Sequence, residues 1–249
     1  MSEKFLHRAD APFSDAVWQR IDHTVIEAAK GQLSARRLLH IEGPYGLGLK
    51  SLAGPDQPVK VSGPQDVDLA ASAARPVVLI RKGFSLSARD IAAFEQTGLP
   101  LDLRAAVEAA IACARQEDDL LFNGSKALGA DGLLNAKGIQ SLQLKPWDEV
   151  GAAADDLIAA VGKLDEAGLH GPYAVALAPA RYNLLFRRYP AGNATEIEHL
   201  RLLLTEGIVK APSIATAGVL IASGRQYATI AVGQDLATGF IGPSDGGYD

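Results

Sequence analysis

Apolar positions recur every three or four residues in several stretches of the chain, and each stretch predicts a helix. The first covers 15–33. Ser14 can cap it, Gly31 lies near its end, and Val17 or Trp18, Ile21, Val25, Ala28 or Ala29 and Gln32 or Leu33 form one stripe. A second helix runs from a Ser87 cap to about Gln96. A third runs from an Asp102 cap through Leu103 to about Asn123, with a stripe through Val107, Ile111, Ala114, Asp118 and Leu121 and a stop at Gly124. Further helices are predicted over Trp147–Ala167, from Pro179 to about Arg188, and from a Thr195 cap to Glu206. Strands are predicted over Arg37–Glu42, 76–86, Tyr173–Leu177, Ile208–Lys210, Gly218–Ala222, Gln226–Val232 and Leu236–Ile241. Helices and strands mix without regular βαβ alternation, so the pattern predicts an α+β fold.

Other stretches lack such a pattern. Residues 1–14 read as an irregular arm, and 125–146 are turn-rich. Residues 47–75 carry Gly54, Pro55, Pro58, Gly63 and Pro64 with only short β-like pieces such as Val59-Lys60-Val61. No core-forming face is visible there. A loop of this length is a functional segment, a disordered one, or a β-ribbon that packs on another molecule. The last residues, 242–249, read as a polar loop with no closing element.

Composition narrows the class. With 249 residues, 48% of them hydrophobic and 21% charged, the chain is globular and long enough to bury a sizeable core in one or two domains. A net charge of -5, with no long block of one sign, argues against non-specific nucleic-acid binding. The single cysteine, Cys113, has no intrachain partner, which favours a reducing compartment. The first residues have no apolar core of signal-peptide length, and no window of about 18 apolar residues predicts a membrane span.

The familiar catalytic templates do not fit. In Gly43–Ser51, Leu49 separates Gly48 from Lys50, and Pro44 removes an amide from the nest a phosphate would need, so a strand-ending turn is predicted. Glu196 and His199 have the spacing of a carboxylate-bridged iron ligand pair, but that chemistry needs two such motifs, so a solvated helix face is expected. Cys113 among Ile111, Ala112 and Ala114 reads as a small buried hydrophobe. Glu117, Asp118 and Asp119 read as a subunit contact or solvated face rather than a hydrolytic pair. No catalytic, metal or cofactor site is predicted.

A set of collinear motifs changes the picture. They are Leu6-His-Arg8, Trp18-x-x-Ile21-Asp22, Arg36-Arg37, Glu42-Gly-Pro-Tyr-Gly46, Phe84-x-Leu86 with Asp90-Ile91, Glu117-Asp118 with Phe122-x-Gly124, and Gly129-x-x-Gly132-Leu133. They continue with Gly168-x-x-Gly171-Pro-Tyr173, Tyr182, Tyr189-Pro190, Ile208 with Ala211-Pro212, and Gly233-Gln-Asp-Leu-x-x-Gly239. Together they resemble the bacterial encapsulins, linocin-like shell proteins of the family 1 type.

The resemblance implies the fold of tailed-phage major capsid proteins, with a peripheral domain, an axial domain and an extended loop. It places an arm, helix and first strand of the peripheral domain at 1–46, the extended loop at 47–75, the peripheral domain with its spine helix at 76–130, the axial domain at 131–222 and late peripheral strands at 223–249. It implies a non-enzymatic subunit that self-assembles into an icosahedral shell in a multiple of sixty copies. The shell would enclose a cargo enzyme, such as a dye-decolourising peroxidase or a ferritin-like protein, through a C-terminal targeting peptide. The expected cargo groove is lined by Val25, Ala29, Leu33, Leu38, Ile230, Val232 and Leu236, with Arg36 and His40 at its rim. Tyr189, Pro190, Ala191, Gly192 and Asn193 would line a pore at the five-fold axis. Encapsulins carry roughly two more strands after the point matching Asp249, so a C-terminal fragment or a second polypeptide is expected to complete the sheet. Flavin is not expected, because Arg89 stands where flavin-binding relatives have a tryptophan. A membrane or nucleic-acid partner is not expected either. The competing readings are a phage or prophage capsid protein that packages DNA, and a small soluble enzyme using the carboxylates at 117–119.

Overall fold

Helix α1 (Asp15–Lys30) turns Val17, Trp18, Ile21, Val25 and Ala29 inward, the stripe read from the sequence. In the computed structural model, which describes residues 3–59 and 68–249, that stripe packs on the long helix α3 (Arg104–Asn123). Lys60 and Val61 of the expected β-piece, with Gly63 and Pro64, lie outside the described residues. The buried row of α3 is Ala106, Ala110, Ala114, Asp118 and Phe122, a spacing of four. Val107 and Ile111 of the expected stripe are only half-buried. Small side chains face α1 because close approach of two helices leaves no room for branched ones.

The arm is fixed to this pair by polar contacts. The Arg8 guanidinium donates to both Asp22 carboxylate oxygens at 2.8 and 2.6 Å and to the Thr238 carbonyl at 2.9 Å, and stacks 4.6 Å over Trp18. Arg8, Trp18 and Asp22, separate motifs in the sequence, are thus one contact. Gly239 closes it: a Cβ there would lie 2.8 Å from the Leu6 carbonyl oxygen.

The central sheet has the order β6–β5–β7, with β5 (Tyr173–Leu177) parallel to β6 (Gly207–Lys210) and antiparallel to β7 (Gly218–Ala222). Every β5 residue is buried, and its alternation serves two cores. Tyr173, Val175 and Leu177 pack in a cluster with Leu157 and Val161 of α4 (Ala152–Glu166), Leu185, Ile197 and Leu204. Ala174 and Ala176 face a second cluster containing Phe122, Val209 and Ile214. Two short helices, α5 (Pro179–Leu184) and α6 (Glu196–Leu200), cover the first cluster. A two-stranded parallel pair, β1 (His40–Glu42) with β8 (Thr229–Ala231), joins the second.

Strands β2 (Ser51–Val59) and β3 (Leu69–Pro76) form an antiparallel ribbon. All of β3 and most of β2 are exposed. Of the options left open for this stretch, its described part takes the ribbon.

Several expectations are corrected. The apolar run 76–86 is not one strand: Pro76 ends β3, the Val77 amide donates to the Lys50 carbonyl, β4 (Leu86–Ser87) pairs at the other end, and among the described residues 78–84 make no backbone hydrogen bond. Val78 and Leu79 are exposed, so the pattern that suggested a strand finds no neighbour to pair with among the described residues. Residues 236–241 also carry no strand pairing. The tail does have a closing element: β9 (Pro243–Ser244) and β10 (Gly247–Tyr248) form a hairpin paired to β4. It carries Tyr248 to within 5.8 Å of the Phe13 ring, which itself lies 5.0 Å from Trp18. Two-residue strands lack the length to show period-two alternation, which is why the sequence hides them.

Candidate functional site

An open cleft of about 1800 Å³ runs from α1, α3, the run 75–84 and the segment 227–241 along residues 130–144 to α4 and the β5–β7 face. Of the expected groove residues, Val25, Ala29, Leu33, Arg36, Ile230, Val232 and Leu236 line it. They do not share one surface. Ala29 and Leu33 pack with Ala114 and the half-buried Leu236, whereas Ile230 and Val232 belong to the cluster around Phe122. Leu38 sits in that second core, 5% exposed, and Leu39 lines the cleft in its place. His40 is exposed on β1 opposite Thr229, outside the cleft. Sequence reasoning missed the alanine face of α3, Ala106, Ala109, Ala110 and Ala114, together with Cys113. Alanines carry a weak signal, because they suit any helix.

The rim residue Arg36 is already engaged. Its Nε and Nη2 donate to the two Glu117 carboxylate oxygens at 2.6 and 2.9 Å, and its Nη1 donates to Asp235 Oδ1 at 2.8 Å. These charge-assisted bonds from two carboxylates raise the Arg36 pKa still further, against the opposing effect of burial. Glu117 is the acidic partner the sequence did not assign.

The three consecutive acids point to three different places. Glu117 holds Arg36. Asp118, 2% exposed, accepts from the Ser34 and Ala35 amides at 2.8 and 3.0 Å and from the Ser34 hydroxyl. Asp119 accepts from the Asn123 side chain at 2.8 Å. They are neither one solvated face nor a hydrolytic pair, since a helix turns them about 100° apart. Burial raises the Cys113 thiol above its ordinary value, and nearby Lys82 opposes that. In the 43–51 turn, the Tyr45 and Gly46 amides donate to the Val232 and Gly233 carbonyls at 3.0 and 2.6 Å, so this nest is already filled by backbone.

The loop Tyr189–Asn193 joins α5 to α6. Its base is tied by the Tyr189 amide to the Ala194 carbonyl at 3.1 Å and by a bridge between Arg188 and Thr195. Pro190, Ala191, Gly192 and Asn193 are exposed, and Tyr189 is half-buried with its hydroxyl 2.9 Å from His199 Nδ1. Glu196 and His199 are not a ligand pair. Glu196 is fully buried, and its Oε1 accepts from the Gly151 and Ala154 amides at the start of α4, both at 3.0 Å. The solvated face expected for it is therefore wrong: the carboxylate satisfies orphan amides at a helix N-terminus.

Residues 3–247 match the family described as "Encapsulating protein for peroxidase". The chain belongs to the encapsulin shell family. It is 35% identical to the type 1 encapsulin shell protein of Myxococcus xanthus, an alignment spanning 96% of this chain and 87% of that protein. It is 31% identical to a diheme-cytochrome-encapsulin shell fusion protein of Kuenenia stuttgartiensis, over 92% of this chain and 65% of that one. It is 28% identical to the type 1 encapsulin shell protein of Mycobacterium tuberculosis, over 94% of this chain and 87% of that one. The subunit of a virus-like particle from Pyrococcus furiosus superposes with a TM-score of 0.71 at 20% identity, covering 93% of this chain and 90% of that one. The α+β fold is therefore that of a capsid-like shell protein, as the resemblance implied. The encapsulin motifs also acquire physical reasons. Gly124 and Gly132, for example, meet where the end of α3 passes the following turn, and a Cβ on Gly124 would lie 2.5 Å from the Gly132 amide nitrogen.

Proposed function

We propose that the protein is a self-assembling subunit of an icosahedral encapsulin shell that encloses a cargo enzyme bearing a C-terminal targeting peptide, and that it is not itself an enzyme. The observation that carries this reading is the β2–β3 ribbon. It is a long, exposed two-stranded element with no core of its own, and an isolated ribbon of this kind is marginal in water unless something packs on it. A neighbouring copy supplies that packing in a closed symmetric assembly. The family description supports an enclosed peroxidase, and the cytochrome fusion relative an enclosed redox protein. On this reading 1–46, 76–130 and 223–249 form the peripheral domain, 47–75 the extended loop and 131–222 the axial domain. The shell resides in the cytoplasm.

A protease-protection assay tests enclosure. A fluorescent protein carrying the targeting peptide of a co-expressed cargo should survive proteolysis that destroys the same protein free in solution. Equal digestion of the two would refute enclosure.

The groove reading rests on the half-buried Leu236 beside Ala29 and Leu33. Ala29 is only 3% exposed, so a tryptophan there would overpack the α1–α3 contact rather than merely fill a groove. The cleaner variant is Leu236→Asn. It should lower cargo loading about tenfold, the order of removing one apolar anchor, while shells still form. Loading at the wild-type level would remove Leu236 from the site.

The pore reading rests on the exposed turn Pro190–Asn193. Replacing Ala191, Gly192 and Asn193 by aspartates should slow entry of an anionic dye several-fold, by like-charge repulsion, and leave particle size unchanged. Lost shells, or unchanged entry, would make the loop structural instead.

A further inference from the structure

The loop Tyr189–Asn193 owes its position to its stem. Among the described residues, 190–193 make no backbone hydrogen bond, so nothing in the tip fixes where it points. The two arms of the stem are joined to each other, with the Glu196 amide donating to the Arg187 carbonyl at 3.1 Å. Three contacts then tie the stem to the entry and first turn of α4. The Arg187 guanidinium donates to the Asp148 and Glu149 carbonyls at 3.0 and 3.2 Å. The Tyr189 ring lies beside Gly151, where a Cβ would be 3.8 Å from its Cε1. The third contact is Glu196, whose Oε1 takes both the Gly151 and the Ala154 amides at 3.0 Å. Its Oε2 is buried without a hydrogen bond, and Arg187 Nη2 stands 3.8 Å from it, beyond hydrogen-bond reach. A fully buried carboxylate is costly to keep, and here it sits at the root of an exposed loop. An apolar side chain would fill the same space, but it would not fix direction as two hydrogen bonds do.

We propose that Glu196 is a positioning residue for this loop: through Oε1 it holds the stem on α4, and so it sets the largest molecule that passes into the shell. The proposal rests on the pore reading above. A tip with no ties of its own moves as its stem moves, so releasing one anchor at the base shifts the whole exposed turn. Because both amides meet Oε1 alone, the geometry assigns the work to these hydrogen bonds and not to the longer Arg187 ion pair.

The test uses assembled particles of the full chain and two readings. One is amide hydrogen exchange by mass spectrometry. The other is the entry of neutral quenchers of increasing size, from acrylamide upward, to a fluorophore on the enclosed protein. Glu196→Met conserves volume and removes both oxygens. It should speed exchange of the 191–195 amides about tenfold, the scale of losing a hydrogen bond to a charged group, with the β5 amides unchanged. It should also admit quenchers that the wild type excludes. Glu196→Gln keeps an oxygen for the two amides and should bring both readings back to within about twofold of wild type. Arg187→Lys keeps the charge but loses the forked donation to 148 and 149, so it loosens the same stem without touching the buried carboxylate, and both readings should move the same way. Unchanged loop exchange in the methionine variant, or in Arg187→Lys should the methionine variant give no particles, overturns the positioning role. So does equal acceleration in the loop and β5, which is the mark of general destabilisation. A glutamine variant as loose as the methionine one overturns the assignment to hydrogen bonds. Faster loop exchange with an unchanged size limit, while the aspartate variant at 191–193 still slows the anionic dye, overturns the proposal and leaves the pore reading standing. Entry unchanged in both overturns both.

Discussion

A variant lacking the β2–β3 ribbon, with Lys50 joined to Val77 through a short glycine-rich turn, should fold as a subunit and form no shells. The two ends meet in the intact chain, where the Val77 amide donates to the Lys50 carbonyl at 2.9 Å, so a short turn can close them without strain on the rest. Among the described residues, no ribbon residue belongs to an apolar core cluster. The subunit therefore loses little of its own stability, whereas on the proposed reading the assembly loses the element that packs on the neighbouring copy. Circular dichroism should show the helices retained, and sedimentation should show only small species. Closed particles of normal size from this variant would remove the ribbon from the assembly mechanism.

Asp118→Ala should lower the stability of the subunit by about 3–5 kcal/mol, since it strands buried donors that the carboxylate now satisfies. Ser34 and Ala35 are both fully buried, and the amides of both, with the Ser34 hydroxyl, point at Asp118. For a chain of this length the loss corresponds to a fall of roughly 10 °C in Tm. Asp118→Asn should recover only part of it, because the carboxamide presents donors toward donors. A variant within 2 °C of wild type by differential scanning calorimetry, a fraction of that expected fall, would show that Asp118 is replaceable.

What was legible in the sequence follows from how each signal arises. The stripe of α1 and the buried run of β5 were visible because one face, or both faces, of a regular element must be apolar. The run 76–86 misled because its composition is that of a strand while pairing is a property of two segments, and only its ends, Pro76 in β3 and Leu86 in β4, find one. The hairpin at 243–248 was invisible because four residues carry no period. Where α1 meets the late segment, the apolar contacts of Ala29 and Leu33 with Leu236 were readable, since resemblance placed the two together. The polar part was not. That Arg36 is spent on Glu117 and Asp235 depends on contacts across 81 and 199 residues, which no local pattern encodes. The same holds for Glu196, whose role as a distant cap on α4 spans 42 residues.

The central claim is assembly, and the mass of the purified particle tests it most directly. Charge-detection mass spectrometry of the native protein, with negative-stain images of the same sample, should give closed shells whose protein mass is a multiple of sixty chains of 26.1 kDa plus cargo. A monomer or small oligomer at every concentration, with no closed particle in the images, would contradict it.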